Sequence, residues 1–200
     1  MKSKFILLSL FLGAILFFSF SGTQEISKCF ISFTNYPGLI TTPPIRLPET
    51  SGKFKNLTTE NGDVQISRID GYSVLYKNSK NAVFLNLSIE LSTPESYGQD
   101  TTNIISNLKL FAGKLPDVET KNLVKLDYNG YIIYGISRYA SDSAMVFGTF
   151  VMFPGNNTTV YFYFDNIQPD FRETKNLEDY KIQRNGFLGN YTNFLRRCPE

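Results

Sequence analysis

From Asp63 onward, apolar and polar positions alternate with the period of two that a half-buried strand requires. Residues 64–69 and 72–77 flank Asp70-Gly71, a pair that tolerates positive φ, so the pattern predicts a hairpin turning there. A second turn at 78–81 leads into a strand at 82–91, with Val83, Leu85, Leu87 and Ile89 on one face and Phe84 and Asn86 on the other. The period then lengthens to 3.6. Asp100 is the candidate cap of a helix from Thr101 to about Ala112, with Ile104, Leu108 and Phe111 as its apolar stripe and Gly113 and Pro116 at its end. Strands return at 123–128 and 131–139 around Asn129-Gly130, the strongest short-range hairpin signal in the chain. A further hairpin is predicted from 144–153 and 158–165, turning at residues 154–157. The last helix is expected to open at Asn176, with Glu178 and Asp179 opposing the positive end of its dipole, and to continue to about Arg197. Leu177, Tyr180, Arg184, Phe187, Tyr191, Phe194 and Cys198 fall near one face of it.

Strands, one helix, a four-strand meander and a closing helix make an α+β fold with an antiparallel sheet. The order lacks the βαβ repeat of a Rossmann scaffold, and the chain has no Gly-rich phosphate motif.

The N-terminal pattern is different. Met1-Lys2-Ser3-Lys4 precedes an apolar run at 5–20, and Ser19-Phe20-Ser21 supplies a small-x-small site. This is a secretory signal pattern, with cleavage expected after Ser21 and a secreted or periplasmic destination. The alternative is an uncleaved membrane anchor, because the run is long for a signal core. Lys28 before Cys29 argues against a lipoprotein. Residues 22–60 read as an irregular, Pro-containing segment, since Pro37, Pro43, Pro44 and Pro48 disfavour a helix, with one short strand near 29–33. Residues 61–200 form a single α+β domain on this reading.

Composition narrows the chemistry. The chain has 20 Lys plus Arg, 18 Asp plus Glu, no His and two Cys. Without imidazole there is no Ser-His-Asp or Cys-His catalysis and no His-ligated zinc. The two basic residues of positive excess, Lys2 and Lys4, belong to the signal, so the exported chain is balanced and no nucleic-acid partner is expected. Cys29 and Cys198 bracket the exported chain, lack Cys-x-x-Cys spacing and can form only one intramolecular bridge, a structural disulfide.

The paired strands at 64–91, the helix at 101–112, the hairpin at Asn129-Gly130, the strands at 146–153 and 160–164 and the helix at 177–197 together resemble the PsbP-like fold. An extrinsic subunit of photosystem II and a nuclear Ran-binding protein share that fold. The likeness covers about residues 63–197 and lies in the order of elements. It implies a binding or assembly module without a shared catalytic centre, and no functional residue is carried over from it.

Three clusters are candidates for function. Tyr161 and Tyr163, with Tyr139 and neighbouring Tyr131 and Tyr134, are a candidate aromatic surface for a sugar or peptide, although alternating Tyr also suits a half-buried strand. Asp165 and Asp170, with Asn166 and Gln168, are the densest oxygen cluster, of the kind a carboxylate-type glycosidase or a cation site would need, without the Gly and Glu of an EF-hand. Lys175, Lys181, Arg184, Arg196 and Arg197 are candidates for docking on an acidic partner. No catalytic residue, metal ligand or cofactor is assigned. The leading expectation is a non-enzymatic binding or assembly module of the cell envelope or periplasm, with an unidentified protein or small ligand as partner. A His-independent glycan hydrolase and a membrane-anchored structural envelope protein are the alternatives.

Overall fold

The computed structural model describes residues 26–32, 36–50, 53–59, 62–65, 68–114, 122–138, 146–165, 167 and 169–197. Its centre is an eight-stranded antiparallel sheet. Strands β1 (Ile40–Thr41) and β2 (Ile45–Arg46) both pair with β5 (Asp70–Lys77), which pairs with β6 (Val83–Leu91). A meander of β7 (Val124–Tyr128), β8 (Tyr131–Ser137), β9 (Val146–Gly155) and β10 (Thr158–Asp165) completes it, with β10 paired to β6. Strands β3 (Lys53–Thr59) and β4 (Gly62–Gln65) form a separate hairpin. Among the described residues three α-helices accompany the strands: α1 (Lys28–Ser32), α2 (Pro94–Lys114) and α3 (Leu177–Arg197). The α+β class with an antiparallel sheet is therefore the observed one.

The alternation along each strand sorts two layers. Phe150 and Met152 of β9, Ile133 of β8, Leu85, Leu87 and Ile89 of β6 and Val160, Phe162 and Phe164 of β10 join the main core with Tyr180, Phe187, Leu188 and Tyr191 of α3. Residues of opposite parity, Val151 and Ile136, face α2 and form a smaller cluster with Ile104, Leu108 and Ala112. Helix α2 also packs against β8 and the β3–β4 hairpin. The α3 side is built from aromatic edges. Phe162 meets Tyr191 at 5.3 Å and 86°, and Phe187 meets Tyr76 at 4.8 Å and 78°.

Phe150 shows how a few residue choices fix this packing. Its ring lies against Gly135, its cross-strand partner, and Gly148 on its own strand, where a Cβ would sit 2.6 Å from Phe150 Cγ and 2.8 Å from Cε2 respectively. The Arg184 guanidinium covers the ring from α3, 4.7 Å from its centroid. Glycine inside these strands makes room for a side chain from the same layer.

Local signals placed most turns. Asn129 and Gly130 both have positive φ, 56° and 86°, and close the β7–β8 hairpin with Tyr128 opposite Tyr131. Asn156 and Asn157 do the same for β9 and β10, at 48° and 54°. Asn176 caps α3 by accepting from the Asp179 N–H at 3.0 Å.

Four expectations are corrected. Asp70-Gly71 is not a hairpin turn: it opens β5 and pairs with Leu91 and Glu90 of β6, while Val64 belongs to β4. Gly71 is required because the Arg68 side chain crosses over it, Cδ lying 2.8 Å from where a Cβ would stand. Helix α2 begins at Pro94, capped by Thr93, whose Oγ1 accepts from the Ser96 N–H at 3.2 Å. Asp100 lies buried inside it. Phe111, expected in the stripe, is 40% exposed, and Ala112 takes the inward position. Residues 28–32 are helical, since this Pro-free stretch is capped by Ser27, which accepts from the Cys29 N–H at 3.3 Å. The segment at 36–50 is stitched to the sheet by β1 and β2, and Tyr36 stacks obliquely on Phe187 at 5.2 Å.

Replacing Gly135 with Ala forces a methyl group into the Phe150 ring, and overpacking of this kind costs about 1–3 kcal/mol. Urea unfolding of Gly135→Ala measures that loss; an unchanged midpoint contradicts the packing described.

Candidate functional site

Tyr161 and Tyr163 stand two apart on β10 and share the α2 face of the sheet, their rings stacked 5.7 Å apart at 8°. Their β6 neighbours are Ser88 and Asn86, and Tyr161 packs against the cluster of Ile104, Leu108 and Val151. Tyr139 lies outside the described residues. The pair is half-buried, so it forms the floor of a polar strip more than an open platform.

The next row of that strip carries charge. Arg68 Nη1 donates to Glu90 Oε1 at 3.0 Å, and Ser88 Oγ donates to the same oxygen at 3.1 Å. Arg68 Nε donates to the Pro48 carbonyl at 3.0 Å, and Ser73 Oγ to Asn86 Oδ1 at 2.8 Å. Both charged side chains are about 15% exposed, 15% for Arg68 and 14% for Glu90, so the pair is largely withdrawn from water. Burial raises the Tyr161 phenol well above its ordinary range, reinforced by Glu90, Tyr163 and Asp100 and opposed by Arg68. Burial and then Glu90 raise Tyr163 in the same way, against Arg68. Both side chains stay protonated at neutral pH and offer a hydroxyl and a stacking face, not a phenolate base. Helix α2 adds the buried Asn107, whose amide oxygen and nitrogen make no hydrogen bond among the described residues.

Arg68 and Glu90 were not legible as a pair. They are brought together by the ladder that sets Glu90 opposite Gly71 and by an isolated bridge between Thr50 and Arg68, neither of which has a local sequence signature.

The oxygen cluster is divided. Asn166 and Gln168 lie outside the described residues, and Asp170 is exposed. Asp165 lines a notch at one end of the sheet with Asn78, Phe84, Arg172, Glu173, Tyr180 and Gln183. The notch has room of about 10 Å³, enough for about one water. Its walls are tied together: Asn78 Nδ2 donates to the Phe171 carbonyl at 2.8 Å, Ser79 Oγ to Glu173 Oε1 at 2.6 Å and Arg172 Nε to the Ile167 carbonyl at 2.8 Å. Burial raises the Asp165 carboxyl above the usual carboxylate range. Among the described residues no group of three or more His, Cys, Asp and Glu is placed to hold a metal ion.

Three exposed hydrophobic side chains belong to segments that flank the residues lining this notch. Phe171 is the chain neighbour of Arg172, Ile182 that of Gln183, and Ile40 pairs with Lys77, next to Asn78. They are 49%, 72% and 64% exposed.

The basic face of α3 is not continuous. Arg184 is buried, bonded through Nη1 to Ser137 Oγ at 3.0 Å and stacked on Phe150 and Tyr180, so it is a core residue. Lys181 pairs with Glu178 at 2.8 Å, and Arg196 and Arg197 occupy the C-terminal turn. Cys198 lies outside the described residues, and Cys29 is not a free thiol. Among the described residues no helix is long and apolar enough to cross a membrane. No family model, curated protein or solved structure matches this chain.

The raised Asp165 carboxyl has a thermodynamic sign. The folded state holds this proton more tightly than the unfolded chain, so its contribution is complete below about pH 4 and is lost as pH rises through the higher folded value. Asp165→Asn is therefore expected to gain in urea midpoint relative to the parent as pH is raised from 4 to 7. A difference that stays constant across that range rules the burial argument out.

Proposed function

We propose that this protein is an exported, non-enzymatic binding or assembly module of the cell envelope or periplasm, whose partner is a protein with an apolar contact surface. The observation that carries this reading is the exposure of three large apolar side chains, Ile40, Phe171 and Ile182, on segments that flank a notch with room for only about one water. Ligand pockets of enzymes are usually hundreds of Å³, whereas exposed apolar groups gathered at one place mark protein contacts. The order of elements supports the same class through its likeness to the PsbP-like fold, which is retained here as a proposal. The N-terminal run at 1–21 supports export.

Parallel capture from the native envelope with the parent protein and a Phe171→Ser, Ile182→Ser variant tests the reading. A partner retained by the parent and lost by the variant is the expected result. A second reading, the carboxylate-type glycan hydrolase, draws on Asp165, whose raised pKa suits a general acid. Release of sugar from envelope glycan by the parent, abolished in Asp165→Asn, would replace the first reading by the second.

We also propose the Cys29–Cys198 disulfide. Tyr36 is held against Phe187, and the seven steps back to Cys29, of which the last three are helical, can span up to about 18 Å. The helix from Phe187 to Arg197 rises only about 15 Å, which leaves α1 within reach of the C-terminal end of α3. Intact mass with alkylation and no reductant is expected to find no modifiable thiol; two alkylated cysteines contradict the bridge.

A further inference from the structure

The two borders of the sheet are finished differently. At one, β1 and β2 are two residues each, and Pro43, Pro44 and Pro48 interrupt the donors between and beyond them, a blunted edge. At the other, β7 has five residues, Val124-Lys125-Leu126-Asp127-Tyr128, no proline, and among the described residues a single strand neighbour, β8.

The β7–β8 hairpin fixes what that edge presents. Its two-residue turn makes Tyr128 and Tyr131 a hydrogen-bonded pair, so in an antiparallel ladder Leu126 with Ile133 and Val124 with Gly135 are hydrogen-bonded as well. The N–H and C=O groups of Lys125 and Asp127 then point away from β8, toward the open border. The side chains of these same two residues are exposed, while Val124, Leu126 and Tyr128 lie half-buried at the rim of the main core.

We propose that β7 pairs antiparallel with β7 of a second copy of this chain about a twofold axis at Leu126, joining two sheets into one. The sequence is complementary to itself in that register and in no neighbouring one. Lys125 faces the Asp127 position of the other copy, and Asp127 its Lys125 position, so both outward residues exchange backbone hydrogen bonds while their side chains form two opposite-charge pairs on the exposed face. On the α3 side Leu126 meets its own twofold equivalent and Val124 meets Tyr128, which extends the half-buried margin of the core across the axis. A slip by one residue sets the charged row against the apolar one, and a slip by two sets Asp127 against Asp127 or Lys125 against Lys125.

The test is sedimentation equilibrium of the purified protein over tens to hundreds of micromolar, with Lys125→Asp and Asp127→Lys. Both positions are exposed, so the substitutions leave the fold in place, and circular dichroism checks this. The parent and the doubly exchanged variant are expected to show a concentration-dependent dimer. Each single variant should weaken it about tenfold or more by setting like charges opposite each other. An equimolar mixture of the two single variants should recover it as a heterodimer. A parent that stays monomeric throughout, or a dimer indifferent to both single substitutions, overturns the proposal. An edge that binds only a strand of a different protein appears as the first of these results.

Discussion

The ladder between β6 and β10 is the constraint on which the rest of the structure depends. Among the described residues it is the one pairing that unites the β5–β6 hairpin with the β7–β10 meander, and it separates two unlike surfaces. On one side Leu85, Leu87 and Ile89 stand opposite Phe164, Phe162 and Val160, an unbroken apolar floor on which α3 lays Phe187 and Tyr191. On the other, Asn86, Ser88 and Glu90 stand opposite Tyr163, Tyr161 and Thr159. A one-residue slip would exchange the two surfaces, so burial of α3 also fixes the position of the polar strip.

That strip and the terminal notch are different kinds of site. The strip contains a withdrawn ion pair and two stacked phenols that retain their protons, so its chemistry is hydrogen bonding and stacking. The notch contains a partly desolvated carboxyl, but its volume and cross-bonded walls suit a structural joint between the β5–β6 turn, the segment around Phe171 and the start of α3.

Features governed by neighbours in sequence were legible. Asn129-Gly130, the Asn176 cap and the alternation of β10 each depend on φ preference or periodicity, and each was read from a few residues. Asp70-Gly71 carries a similar local signal but has a different cause. There the glycine accommodates Arg68 on its way to Glu90, a fact about residues 22 positions apart. The start of α2 was available in Thr93-Pro94-Glu95, a cap followed by proline and an acid, but Asp100 competed as a cap signal further on. Phe111 and Ala112 illustrate the remaining limit. Both fit an apolar stripe, and only the position of the sheet decides which of them turns inward.

The β6–β10 ladder also sets an order in time. Leu87 and its partner Phe162 are separated by about seventy-five residues, so at roughly 5–20 residues per second β6 emerges from the ribosome several seconds before the strand that will cover its edge. In that interval one of the most apolar strands in the chain has only β5 beside it, and α3, which shields the aromatic floor, comes later still. A nascent chain halted before residue 158 would display an uncovered edge and an uncovered face together. The vulnerable period of this protein is thus written into its topology, and it closes only when the C-terminal helix arrives.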